Sequence, residues 1–218
     1  MKGATRARSA ADQLQSDILS GVYLSGERLR ELALAERLGL SQSTVREALA
    51  ELEREGWVLK LPRRGVFVRA FTPAEADDVY TLIGMLTPAT FERVTEPARK
   101  PRLRELTEFL DAARAAVGSH ETGKVLHALL GWHEALAFIA DRPVTRELLA
   151  TLIRRAQIIE AVREARAPMP SRDLTALIAR HADVQRALGM GDLELARRLY
   201  GPIADTLRAA AVEALTVP

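Results

Sequence analysis

A single β-rich stretch interrupts a chain that otherwise reads as helix. Val58–Leu61 and Val66–Ala70 are rich in β-formers, and Pro62-Arg63-Arg64-Gly65 between them is a turn, which predicts one hairpin. No strand pattern follows residue 71 and no repeat of fixed period is present. The expected fold class is therefore mainly α. The hairpin belongs to a small N-terminal unit, residues 1–71, and residues 72–218 form an all-α bundle.

Three helices are expected before the hairpin. Leu14 and Ile18 lie four apart, marking a helix over about Ala4–Ser20 that Gly21 ends. After the Ser25-Gly26 turn, Leu34 and Leu38 mark a short helix from about Arg30, closed by Gly39. Ser41 is then a good N-cap for a third helix. Its buried stripe is Val45, Leu49 and Leu52, and Gly56 stops it. Beyond Pro73, candidate helices cover about 73–95, 101–117, 122–140, 143–166, 171–188 and 191–216, separated by Pro and Gly clusters. Pro88 and Gly201-Pro202 fall inside helical patterns, where kinks are expected. Trp57 and Trp132 read as core anchors.

Composition removes several function classes. The 218 residues contain no cysteine, which excludes disulfide scaffolds, zinc fingers, thiol nucleophiles and iron–sulfur sites. Hydrophobic residues make up 48% and charged residues 28%, an ordinary globular balance that argues against disorder. No apolar run approaches the roughly 20 residues that cross a bilayer, and no secretory leader is visible, so no membrane is expected and a cytoplasmic location is. At 5% aromatic, a stacking platform for single strands is not expected. Residues 1–71 carry 12 Lys+Arg against 9 Asp+Glu, whereas the remainder carries 19 against 20. A basic head on a near-neutral body fits a polyanion-binding module joined to something else.

Two short helices, a three-residue turn, a capped third helix and a hairpin spell a winged helix-turn-helix. A helix fits the major groove of a duplex, and its N-terminal residues reach base edges. With Val45, Leu49 and Leu52 buried, the opposite face offers Gln42, Ser43, Thr44 and Arg46, with Glu47 nearer the flank and expected to pair with a neighbouring arginine. In the wing, Arg63 and Arg64 sit beside Gly65, and arginines there suit phosphates or a narrow minor groove. Composition alone fits equally well an ordinary solvated helix with a hairpin lid.

The wording of the segment separates these readings. Gly26-Glu-Arg-Leu-Arg-Glu, Leu34-Ala-Glu-Arg-Leu-Gly-Leu-Ser41, Thr44-Val-Arg-Glu-Ala-Leu, Leu52-Glu-Arg-Glu-Gly-Trp-Val and Arg63-Arg-Gly-Val-Phe-Val68 closely resemble the GntR family of bacterial transcription regulators. The helical remainder, with Trp132-His133-Glu-Ala-Leu and Arg180-His181, resembles the FCD-type effector domain of the FadR subfamily, in its smaller VanR-like, six-helix variant. The resemblance implies a homodimer on a two-fold-related DNA operator, expected to repress, with the helical domain sensing a small-molecule effector. It carries the DNA-binding positions to Ser41, Gln42, Ser43, Thr44, Arg46, Arg64 and Gly65, and Arg30 and Arg63 complete the candidate set. Members commonly have Ser-Arg where this chain has Ser41-Gln42. Glutamine pairs with adenine where arginine pairs with guanine, so an altered operator base is expected. Leu32 replaces a frequent arginine in the second helix.

Departures are larger in the effector domain. Many relatives hold a divalent metal with one Asp or Asn and three His. Here His133 and His181 occupy two ligand positions, Leu129 stands at the Asp position and Ile203 at the last His position. Ile83 stands where an anion-binding arginine is common. Two imidazoles from different helices make a poor metal site, and a buried anion without a metal or arginine would be costly. The expectation is a metal-free, cofactor-free cavity at Ile83, Leu129, His133, His181 and Ile203, taking an apolar or weakly polar effector. The two histidines would hydrogen-bond a ligand carbonyl or hydroxyl. Open alternatives are a constitutive regulator with a degenerate site, a metal-dependent sensor of an organic acid, two histidines that are merely core residues, and an enzyme using His133 and His181. Gly118-Ser-His-Glu-Thr-Gly123-Lys124 has phosphate-loop spacing. It continues with Val125 rather than Ser or Thr and follows a helical segment, so it reads as a helix connection.

Overall fold

The structure, a computed structural model, describes residues 2–119, 121–166 and 168–216. The chain packs as two compact units that divide between Phe71 and Thr72.

In the first unit, helix α1 (Lys2–Leu19) packs on helix α3 (Gln42–Glu55), with α2 (Glu31–Leu38) also against α3. Leu14, Leu34, Val45, Leu52 and Trp57 are fully buried. Side chains of this size contribute about 1.5–3 kcal/mol each when removed from water, before entropy is set against them. Ser41 caps α3 as its sequence predicts, its hydroxyl accepting the Thr44 N–H. Gly39 takes a left-handed φ of 64°, which lets the chain turn from α2 into α3. The hairpin forms strands β2 (Val58–Leu61) and β3 (Gly65–Val68). A third strand, β1 (Arg28–Leu29), pairs antiparallel with β3 and gives the order β1-β3-β2, with Arg28 opposite Phe67. Two residues are too few to show a strand periodicity, so β1 has no sequence signal of its own.

In the second unit, α4 (Pro73–Leu86) opens on a capping box made by Thr72 and Glu75. It is followed by a 3-10 turn at Pro88–Thr90 and the short helix α5 (Phe91–Val94). The single helix expected over 73–95 is thus broken. Pro88 has no N–H to donate to the helix ladder, so the α-helical bonding stops there although Thr87 itself keeps helical backbone, with φ −62° and ψ −49°. Likewise Lys100–Glu105 is a 3-10 segment containing Pro101, and α6 begins only at Leu106, running to Gly118. Four long helices complete the unit: α7 (Thr122–Ala140), α8 (Pro143–Arg166), α9 (Ser171–Met190) and α10 (Leu193–Thr216). α10 continues through Pro202. The closest packing joins α6 to α7, α7 to α8, α4 to α10 and α9 to α10. Trp132 is fully buried among them. Among the described residues, no helix is long and apolar enough to cross a membrane. His120 of the phosphate-loop-like run lies outside the described residues. The segment before that run is helix α6, not the strand such a loop requires.

Candidate nucleic-acid interface and buried histidine pair

The N-terminal turns of α3 present Gln42, Ser43, Arg46 and Glu47 to solvent, with Thr44 half-buried, while Val45, Ala48, Leu49 and Leu52 face the core. Ser41 Oγ lies 2.9 Å from both Ser43 Oγ and Thr44 Oγ1, so its hydroxyl is committed to the cap. Arg46 does not stand alone. Its Nε donates to Glu31 Oε2 at 2.5 Å, and its Nη2 donates to Gln42 Oε1 at 3.4 Å. The pairing expected of Glu47 is therefore corrected. Glu47 is exposed and pairs with no arginine among the described residues; Glu31, brought in from α2 by the helix-turn-helix, is the carboxylate that meets Arg46.

The wing loop is built from Pro62, Arg63 and Arg64, all exposed. Arg63 adopts a left-handed φ of 61°, which costs an L residue roughly 1 kcal/mol. Gly65 has φ 104°, and a Cβ there would sit 3.1 Å from Nε of Arg28 and 3.3 Å from its Nη2. The glycine thus makes room for the Arg28 guanidinium to lie across the base of the wing, a position that the sequence pattern did not single out. Arg30 is exposed at the N-cap of α2. Among the described residues, Arg28, Arg30, Arg63 and Arg64 have no carboxylate partner. Unneutralised guanidiniums of this kind are what phosphate contacts require.

The positions weighed for an effector are all buried: Ile83, Leu129, His133, His181 and Ile203. Two of them meet. The His133 and His181 rings stand edge to face with centroids 5.3 Å apart, and Trp132 lies edge to face with each at 5.2 Å. Tyr200 on α10 is 5.7 Å from His133. His133 Nδ1 lies 2.8 Å from the Leu129 carbonyl and His181 Nδ1 2.7 Å from the Leu177 carbonyl. A carbonyl only accepts, so each Nδ1 carries the proton and each Nε2 is a bare acceptor. Among the described residues, neither Nε2 atom, both of them buried, has a partner. Burial lowers His133 to about 4, the bond to Leu129 opposing it, and lowers His181 to about 3, with His133 adding to the effect. Of the two ligand groups expected at these histidines, a carbonyl is ruled out, because a bare Nε2 cannot donate to it; a hydroxyl fits.

Ile83 and Ile203 lie on α4 and α10, which pack together, Gly84 fitting against Ala204. Among the described residues, the surface clefts at Phe109 and Arg146, at Leu103 and Gly189, and at Arg93 and Thr145, of about 290 to 530 Å³, are lined by none of these five residues. The donor set does not fit the metal that the resemblance implies. Leu129 and Ile203 supply no ligand atom, and among the described residues no group of three His, Asp or Glu side chains is arranged to hold an ion.

Sequence reasoning missed the buried cation of this unit. Arg163 on α8 is 1% exposed. It donates to Glu160 at 2.5 Å and to Glu164 at 3.2 Å, and Tyr80 on α4 donates to Glu160. An arginine does lie in the core, but two carboxylates already neutralise it. The available signal was Glu160 inside the otherwise apolar run from Ile158 to Val162, with Arg163 following it at i, i+3.

Comparison with known proteins agrees with this architecture. The family described as "Bacterial regulatory proteins, gntR family" matches residues 6–68, and the FCD domain matches residues 78–201. The HTH-type transcriptional regulator of the TAR-I ttuE-ttuC' intergenic region of Agrobacterium vitis is 27% identical over 62% of this chain and 77% of its own length. The gluconate operon transcriptional repressor of Bacillus subtilis is 27% identical over 64% of this chain, but the match spans only 57% of that repressor. A crystal structure described as a GntR transcriptional regulator from Rhodococcus sp. RHA1 superposes with a TM-score of 0.79 at 25% identity, covering 98% of this chain and 99% of its own. These relatives regulate transcription, which removes the enzyme reading of His133 and His181. A winged helix-turn-helix head followed by an FCD domain covering more than half of the sequence places this chain in the GntR family of bacterial transcription regulators.

Proposed function

We propose that this regulator binds an inverted-repeat DNA operator as a homodimer, represses from it, and is released by a small-molecule effector. The observation that carries the DNA part is the division of α3. Its apolar stripe is buried, while Gln42, Ser43 and Arg46 at its N-terminal end remain in solvent. This is the disposition of a helix whose start meets base edges. Arg28, Arg30, Arg63 and Arg64 supply the cations that would hold it on the phosphates, and Gly65 keeps the wing close. Selection from random duplexes by the full chain, followed by gel shift on the enriched sequence, tests it. An enriched inverted repeat supports the proposal, and no enrichment refutes it.

The effector is metal-independent and neutral, and carries an O–H or N–H donor. Two buried acceptors without donors support this class, since such groups cost about 1–3 kcal/mol each until they are paired. An effector acts on DNA binding only through its different affinity for two arrangements of the dimer. The edge-to-face contact of Trp132, His133 and His181 favours a second reading, a constitutive regulator whose effector position is filled by its own rings. Melting shifts across a panel of neutral alcohols and amides separate the two. A shift that disappears in H181L supports an effector, and a flat panel supports the constitutive form.

A further inference from the structure

The exposed face of α3 includes a residue that is not on α3. Glu31 opens α2, and its carboxylate takes the inner N–H of the Arg46 guanidinium at 2.5 Å. The outer Nη2 of Arg46 reaches back one turn to Gln42 Oε1. The pair is open to water, with 61% of the Arg46 side chain and 36% of the Glu31 side chain exposed. Exposed pairs add at most about 1 kcal/mol to stability, so fold stability does not explain why a carboxylate should stand on the face that meets a polyanion.

We propose that Glu31 is a specificity-determining positioning residue, which holds Arg46 end-on toward the groove and through it sets what Gln42 can read. The proposal rests on the reading of α3 as the recognition helix. With Nε held by Glu31, the hydrogens left on Arg46 are those at the guanidinium tip, whose fork matches O6 and N7 of guanine. With Oε1 turned to Arg46, one of its two lone pairs is taken, and the amide N–H groups are what Gln42 offers most freely. The two-bond contact with adenine needs Oε1 as an acceptor as well. While the Glu31–Arg46–Gln42 chain is intact, Oε1 is drawn toward Arg46, so Gln42 is set to donate to purine N7, guanine O6 or thymine O4, and the adenine preference expected from sequence is weakened. The Glu31 charge also repels phosphate wherever Arg46 is not matched by a base. It weakens binding to unrelated DNA more than binding to the operator, which is discrimination by a repulsive element.

The test uses the full chain as wild type, E31Q, E31A, R46A and E31A/R46A, each selected on random duplexes and titrated with salt on an unrelated duplex. E31A is expected to bind unrelated DNA several-fold to about tenfold more tightly at low salt, with a slope steeper by about one. It is also expected to lose base preference at the position facing Arg46. E31Q keeps an acceptor without the charge. It is expected to gain the same non-specific affinity while retaining the preference. E31A/R46A is expected to lose no more preference than R46A. A purely structural Glu31 would instead give weaker binding to every duplex with a lowered melting temperature, and that result overturns the proposal. Unchanged preference and unchanged non-specific affinity in E31A also overturn it. If wild type itself enriches no sequence, the reading of α3 fails first; if wild type enriches a site and E31A enriches the same site equally well, only the role of Glu31 fails.

Discussion

His133 and His181 meet edge to face with ring centroids 5.3 Å apart, each ring fixed through Nδ1 to a carbonyl one turn back on its own helix. Both are neutral in the folded chain well below the ordinary histidine range, His133 to about 4 and His181 to about 3, because burial penalises the charged form. Above about pH 6.5 neither folded nor unfolded chain protonates them, so they add no pH dependence. Below it the unfolded chain takes up protons that the folded chain refuses. Stability therefore falls as pH drops from about 6.5 toward 4, by up to about 1.4 kcal/mol per pH unit for each histidine. Urea unfolding between pH 7.5 and 5 reads this slope. In H133L/H181L the contribution is absent, and stability at pH 7.5 stays within about 1 kcal/mol of wild type because two orphaned acceptors leave with the rings. Superimposable pH profiles would contradict the account.

Gly65 and Arg28 make a second testable pair. A methyl group at residue 65 meets the Arg28 guanidinium at 3.1 Å and requires an L residue to hold φ 104°. Gly65→Ala is expected to cost about 1–2 kcal/mol and, by moving Arg28, to weaken binding to all duplexes. Arg63→Gly has the opposite sign on stability, because it relieves the left-handed φ of 61°, yet it removes a wing cation. Melting curves alongside gel shifts on specific and unrelated DNA separate the two effects.

Glu160 holds the C-terminal helical unit together from inside. Its removal takes from the buried Arg163 the carboxylate it meets at 2.5 Å and strips the Tyr80 hydroxyl of its acceptor. Glu160→Ala is expected to lower stability by roughly 2–4 kcal/mol in urea, since removing one partner of a buried ion pair leaves the other charge less compensated. E160L/R163M is expected to recover most of that loss. A double variant no better than the single one would show that the ion pair is not the reason.

Elements with local signals were legible in sequence, and those made by distant contacts were not. Ser41 as a cap, the stripe of Val45, Leu49 and Leu52, and the hairpin around Pro62–Gly65 follow from local chemistry and stand as expected. Pro88 and Pro101 are visible in sequence, but not the extent of the breaks they make, because apolar periodicity carries across a 3-10 segment where the α-helical hydrogen-bond ladder stops. Strand β1 exists only because β3 offers it an edge. Glu31 lies fifteen residues from Arg46 and meets it only once α2 has turned back on α3. Arg163 looked like one more helical arginine; its burial depends on α4 bringing Tyr80 to Glu160. At the candidate effector site, the family resemblance implied which positions depart from a ligand set, whereas the tautomer of the two histidines required the carbonyls of Leu129 and Leu177 to be located.

The measurement that bears most directly on the central claim is the base preference of Arg46→Ala against that of Arg64→Ala, selected from the same pool of random duplexes. The account predicts that wild type enriches an inverted repeat. It predicts that R46A loses preference at one base pair in each half, and that R64A keeps the pattern while binding all duplexes more weakly, with a salt slope lower by about one. An unchanged enriched sequence in R46A would contradict the assignment of α3 as the helix that reads DNA.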